Sequence, residues 1–159
     1  MDYEIFVLAR ALHVVGVVLW IGGVALITTV LIPNIRRLPD PENRLWTFEN
    51  VERRFAWQAR IVTLITGLSG FYMLHFMSAW DRYQQLQFWW LHLMTLIWVI
   101  FTLALFVLEP LVLHRWFHDY AMRSSDRAFA LLHRVHSVVL SISLLAILGA
   151  VAGSHGYQF

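Results

Sequence analysis

The sequence predicts an all-α protein, an integral membrane four-helix bundle with both termini on the outer (periplasmic) side. Three observations carry that expectation. Of the 159 residues, 59% are hydrophobic and only 14% charged, against about 45–50% and about 25% in an ordinary soluble domain. The apolar residues fall into four runs, each at least as long as the roughly 20 residues that cross a bilayer. The Arg residues gather in the connections on one side, which the positive-inside rule places in the cytoplasm. Four spans leave only short connections, so residues 1–159 read as a single domain of the inner (cytoplasmic) membrane, crossing it several times.

The first run, residues 5–32, is apolar apart from Arg10, His13 and two Thr, and is expected to end at Pro33 and Asn34. It is too long for a signal-peptide core and follows Asp2 and Glu4 instead of a basic stretch, so it reads as a span and not a cleaved leader. The second, residues 55–79, carries Arg60 near its start and His75 near its end. The third, residues 88–113, meets Glu109 and Pro110 late, and Pro110 is expected to kink or end the helix. The fourth, residues 128–153, has an apolar stretch after Arg134 broken only by His136, Ser137, Ser141 and Ser143. Arg36, Arg37, Arg44, Arg53 and Arg54 fill the connection between spans one and two; Arg115 and Arg123, with Arg127 at the edge, fill that between three and four. Trp80, Tyr83, Trp89 and Trp90 on the outer side, with Trp116 and Tyr120 on the inner, fit aromatic belts. The small residues Ser137, Ser141, Gly149 and Gly153 form a stripe suited to close helix packing. Glu109 is expected to pair with an Arg of the cytoplasmic loops, the alternative being a proton or quinone role.

The residue types restrict the chemistry. Cys is absent, which excludes thiolate metal sites, disulfides, c-type haem attachment and a Cys nucleophile. All 12 basic residues are Arg, which excludes Schiff-base and other Lys chemistry. The basic balance expresses topology and gives no reason to expect nucleic acid. What remains is a surplus of 8 His. His13 lies about two turns into span one from the outer face, His75 about a turn before the outer end of span two, and His92 about a turn into span three. His114, His118, His133 and His136 fall near the cytoplasmic boundary, and His155 in the outward tail.

Ionisable residues inside hydrocarbon usually face the bundle and mark function, and bundles hold cofactors between facing helices. For any one His the plainer reading is a neutral ring bonded to a neighbouring helix. Three at one depth favour haem b, whose iron takes axial imidazole, needs no Cys and requires an apolar slot. His13, His75 and His92 are the candidate axial ligands. Arg10, His13, Gly16, Val17, Trp20 and Gly23 share one helical stripe. Gly16 would let a flat macrocycle approach the backbone, and Arg10 would pair with a propionate or else snorkel to the headgroups. Copper is the alternative, with Met73, His75 and Met77, and Met94 near His92, as soft ligands; residues two apart diverge, so Met73 and Met77 share a face that His75 does not. On the inner side His133 and His136 share a face, as do His114 and His118 if the helix continues past Pro110. They are candidates for a second haem or a weak metal site, or else are hydrated interfacial residues.

The run Ala11-Leu-His-Val-Val-Gly-Val-Val-Leu-Trp-Ile-Gly-Gly23 resembles the first helix of the HemJ-type protoporphyrinogen IX oxidases and the related CopD-type copper-resistance membrane proteins. Val51-Glu-Arg-Arg-Phe55 with Thr66-Gly67-Leu68, and Trp90-Leu91-His92, extend the resemblance to three of the four spans. In the HemJ case it implies haem b bound through His13 and oxidation of a porphyrinogen, for which the family uses a Lys soon after the Trp-Leu-His run. Met94 stands in that slot and the chain has no Lys, so the resemblance carries haem binding further than the family's reaction. CopD-type kinship implies copper handling.

The expected function is haem b binding with one-electron transfer between a membrane reductant, such as a quinol or porphyrinogen, and an acceptor. If the chain is an enzyme, it is a membrane oxidoreductase using haem b. The alternatives are copper transport or tolerance, and a structural subunit of a larger membrane complex. Expected partners are the lipid membrane and either other membrane subunits or further copies of the chain.

Overall fold

The structure is a computed structural model that describes residues 2–157, apart from the side chains at positions 113 and 114. Helices and short turns account for the described residues. Helix α1 runs from Asp2 to Ile35 by way of a π turn at Ile27–Leu31; α2 spans Pro41–Phe76. Two 3₁₀ turns, Trp80–Gln84 and Leu86–Phe88, lead into α3, Trp89–Leu103, which widens into a π segment at Ala104–Leu113. Then come α4, His114–Arg123, and α5, Ser125–Ser154. Four helical stretches, 2–35, 41–76, 86–112 and 125–154, are long and apolar enough to cross a membrane, as expected of a multi-pass membrane protein.

Neither internal proline stops its helix. Pro33 follows the π turn of α1, and Pro110 sits within the π segment. A proline ring collides with the carbonyl one turn back in an α-helix; the wider π turn relieves that collision. The first run therefore continues past Pro33 to Ile35. The third continues past Pro110 to Arg123, so that only Ser124 separates α4 from α5.

The second run also starts earlier than expected, at Pro41 and not residue 55. The Asp40 carboxylate accepts the backbone N–H groups of Glu42 and Asn43 at 3.2 and 3.3 Å, with proline at the first helical position, a strong N-terminal signal. At 36 residues, α2 is about 54 Å long, well beyond the roughly 30 Å of a hydrocarbon core. Its extra length meets α4 and the start of α5 in a compact aromatic knot. The rings of Phe48, Phe117 and Phe129 contact one another with centroids 5.3–5.8 Å apart, and Leu45, Ala121 and Ala128 are buried beside them. Arg44, Arg53, Arg54, Arg115 and Arg123 thus stand on helices, not in loops.

In the main core α1 packs along α2, and α3 against α5. Trp20, Ile21 and Val24 of α1 meet Val62, Ile97, Leu140 and Ala146. The expected small-residue stripe of α5 packs only at its glycine end: Gly149 faces Trp89 and Trp90, and Gly153 faces Trp90. Ser141 is exposed, and Ser143 is the serine buried in the core. A β-carbon at Gly149 would lie 2.6 Å from the Trp89 ring and 3.0 Å from Trp90 Cβ. Gly149→Leu should therefore destabilise the fold by about 1–3 kcal/mol. Thermal unfolding in detergent checks this, with Gly22→Ala, at a site with nothing within 4 Å, leaving the midpoint undiminished.

Candidate functional site

His13 projects from α1 against α2 and is half-buried. Its Nδ1 donates to the Thr66 carbonyl at 2.8 Å. The Thr66 hydroxyl donates to the Val62 carbonyl at 2.7 Å, and the Ser69 hydroxyl to the Ile65 carbonyl at 2.6 Å, so the α2 face beneath the ring is internally satisfied. Gly70 completes the seat: a β-carbon there would come within 3.1 Å of His13 Cε1 and 3.3 Å of Nδ1. With the proton on Nδ1, the ring's lone pair is on Nε2. An imidazole anchored by a carbonyl on one nitrogen, with the other nitrogen bare, is the usual arrangement of a metal-ligating histidine. Beside it an apolar groove of about 300 Å³ runs between α1 and α2, lined by Ile5, Leu8, Leu12, Ile65, Leu68 and Tyr72, with Ala9 and Ser69.

The other residues of the stripe behave differently. Arg10 is exposed one turn closer to the N-terminus. The space beside Gly16, expected to receive a macrocycle, is occupied by the Thr66 side chain, so this glycine serves the close approach of α1 to α2. Trp20 is buried in the core, edge-on to Phe101 with centroids 4.9 Å apart.

A shared depth does not bring the three outer histidines together. His75 is exposed on the last turn of α2, as is Met77 just beyond it, while Met73 is half-buried. His92 has Nε2 at 2.9 Å from the Tyr83 carbonyl and Nδ1 at 3.1 Å from the Phe88 carbonyl, and stacks edge-on against Tyr83. Both its nitrogens face backbone, so it ties the Trp80–Gln84 turn to α3. Tyr83 reinforces that tie through its hydroxyl, 2.7 Å from Thr95 Oγ1. Among the described residues no three of His, Cys, Asp and Glu converge as a metal-holding set. The residues therefore fit haem on one side only: His13 has the donor chemistry of an axial ligand, and neither expected partner is placed to oppose it.

At the Arg-rich end, His136 donates from Nδ1 to the Leu132 carbonyl at 3.0 Å, and both it and His133 are half-buried. They lie on the same helical stripe as Phe129 and Leu140. His118 Nδ1 contacts the Glu49 carboxylate at 2.9 Å, joining α4 to α2. The side chain of His114 lies outside the described residues. His155, past the end of α5, is exposed, with Nδ1 donating to the Val151 carbonyl at 2.8 Å.

One arrangement went unforeseen from the sequence. In a π register the N–H of residue i bonds the carbonyl of residue i−5, so Pro110, lacking an N–H, orphans the carbonyl of Leu105. Arg60 Nε donates to that carbonyl at 3.0 Å, and its terminal nitrogen pairs with Glu109. Both side chains are about three-quarters buried, 26% and 23% exposed. Glu109 is thus partnered from within the long α2, by Arg60 and not by a loop arginine. The signal available in the sequence was a charged residue of each sign in facing apolar runs, with a proline beside one of them.

The chain matches no family model, no curated protein and no solved structure.

Arg60→Met should leave both the Glu109 carboxylate and the Leu105 carbonyl unsatisfied and destabilise the protein by about 3–5 kcal/mol, as for other broken buried ion pairs. The double variant Arg60→Met/Glu109→Met, which removes the stranded charge, should recover part of that loss. Unfolding of the reconstituted protein by denaturant measures both.

Proposed function

We propose that this chain is a multi-pass protein of the cytoplasmic membrane, with both termini on the outer side, that binds haem b through His13 and carries single electrons. Insertion is supported by the four long apolar helices and by large outward apolar side chains such as Val14, Val18, Leu68, Leu103, Leu111 and Leu148, far more than a water-soluble surface carries. Orientation is supported by Arg36, Arg37, Arg53, Arg54, Arg115 and Arg123, which all stand at the end opposite the termini. Kinship with the HemJ-type and CopD-type proteins is proposed on the His13 stripe.

The observation that carries the reading is the His13–Thr66 hydrogen bond, which fixes the ring and leaves Nε2 as its free donor atom. Thr66 would hold the imidazole's orientation and raise its basicity as a ligand. Gly70 gives the ring clearance, and Leu12, Ile65 and Leu68 make the groove beside it apolar. Arg10 is the cation available to a propionate. Bound haem would supply one-electron chemistry, its potential tuned by axial ligand, hydrogen bonding and burial. With His75 exposed and His92 committed to backbone carbonyls, His13 is proposed as the sole axial ligand from the outer trio. Met94 in the slot of the family's Lys favours electron transfer, with a quinol or porphyrin as reductant, over porphyrinogen oxidation.

Protein purified from haem-replete cells should show a Soret band and a reduced-minus-oxidised difference spectrum. His13→Ala should abolish both, while His75→Ala and His92→Ala retain the Soret band. A colourless wild-type protein would contradict the proposal, and stoichiometric copper without a Soret band would establish the copper reading in its place.

A further inference from the structure

Among the described residues, three buried polar atoms in the middle of the bundle have no hydrogen-bond partner: Trp20 Nε1, Thr63 Oγ1 and Thr102 Oγ1. They come from α1, α2 and α3. A fourth such atom, Ser125 Oγ, lies far off at the start of α5. Trp20 is 4% exposed and Thr63 is fully buried, so neither reaches bulk solvent.

These are not ordinary helical threonines. Thr28, Thr29, Thr66 and Thr95 each donate the hydroxyl to the carbonyl one turn back, at 2.6–2.9 Å. Thr63 and Thr102 hold rotamers that forgo that bond. Two cross-links fix their common depth. Trp98 Nε1 donates to the Thr63 carbonyl at 2.9 Å, and Arg60 Nε to the Leu105 carbonyl at 3.0 Å. Thr102, near the end of α3, lies between Trp98 and Leu105 of the π segment that follows, as Thr63 lies one turn from Arg60 on α2. Trp20 reaches the same layer through its contact with Phe101. The layer is adjacent to the Arg60–Glu109 pair, on the side toward the chain termini.

A buried polar atom without a partner is destabilising, and three at one level are a heavy burden for a bundle of this size. We propose that Trp20, Thr63 and Thr102 form a binding site for internal water. The chemistry matches: Trp20 offers only a donor, each threonine hydroxyl both donates and accepts, and a buried water needs two to four polar partners. Water there accepts from the Trp20 N–H and donates to the threonine oxygens, turning three orphaned atoms into one network. It also places a hydrated layer one turn from the buried Arg60–Glu109 pair, extending polarity from that pair into the centre of the bundle.

The test uses full-length protein in lipid nanodiscs with ¹⁵N-labelled tryptophan. The Trp20 indole signal is identified by its loss in Trp20→Phe, and magnetisation transfer from water to each indole N–H is recorded. Transfer to Trp20 is expected, with none to Trp98, whose N–H is bonded to the Thr63 carbonyl. The double variant Thr63→Val/Thr102→Val, which keeps the side-chain shape, should abolish the transfer while the other indole signals persist. Absence of transfer in the wild type, or transfer undiminished in the double variant, would overturn the proposal. If the double variant does not fold, the wild-type measurement alone decides.

Discussion

In an apolar interior a broken hydrogen bond is completed only by another protein group or a trapped water, and in this chain that constraint bears hardest on the carbonyl of Leu105. Pro110 removes the N–H that would have met it, and Arg60, reaching across from α2, supplies the donor. The same guanidinium neutralises Glu109. Because that one side chain satisfies both groups, the helix continues through the proline into α4. The continuation carries Phe117 to Phe48 and Phe129 in the aromatic knot at the Arg-rich end. A stop at Pro110 would leave α4 unplaced and the long extension of α2 without a partner.

The same accounting separates histidines that composition treats alike. An imidazole has two nitrogens, and its chemistry follows from how many the protein uses. His92 faces a carbonyl with each and becomes a structural tie. His13 faces one, and its second nitrogen keeps a lone pair. His75 has a surface position that neither buries nor opposes it. Within the outer trio His13 is the one that combines a carbonyl anchor with a bare second nitrogen, and His136 repeats that pattern at the Arg-rich end.

Much of the architecture was legible in the sequence because it rests on composition and period. Four apolar runs became four long helices, and the small-residue stripe of the fourth run marked real close contacts at its glycine end, Gly149 and Gly153. What was not legible depended on rotation and on exceptions to local rules. Gly16 was correctly placed on the stripe of His13, but which face of α2 meets it is set by packing, and Thr66 fills the space. Pro33 was expected to end its helix and Pro110 to kink or end one, and both helices continue by way of π turns. The early start of α2, by contrast, was written plainly in Asp40-Pro41-Glu42 and was masked by the arginines that made the segment look like a loop.

The functional claim reduces to the protonation pattern of one ring. In protein produced without haem and held above neutral pH, ¹⁵N spectra of labelled histidine report which nitrogen of His13 bears the proton. The Thr66 hydrogen bond predicts a protonated Nδ1 and a bare Nε2, with Thr66 carbonyl coupling lost in His13→Ala. A proton on Nε2 would leave the ring's lone pair on Nδ1, turned toward the Thr66 carbonyl and away from any iron, and contradict the assignment of this residue as the haem ligand.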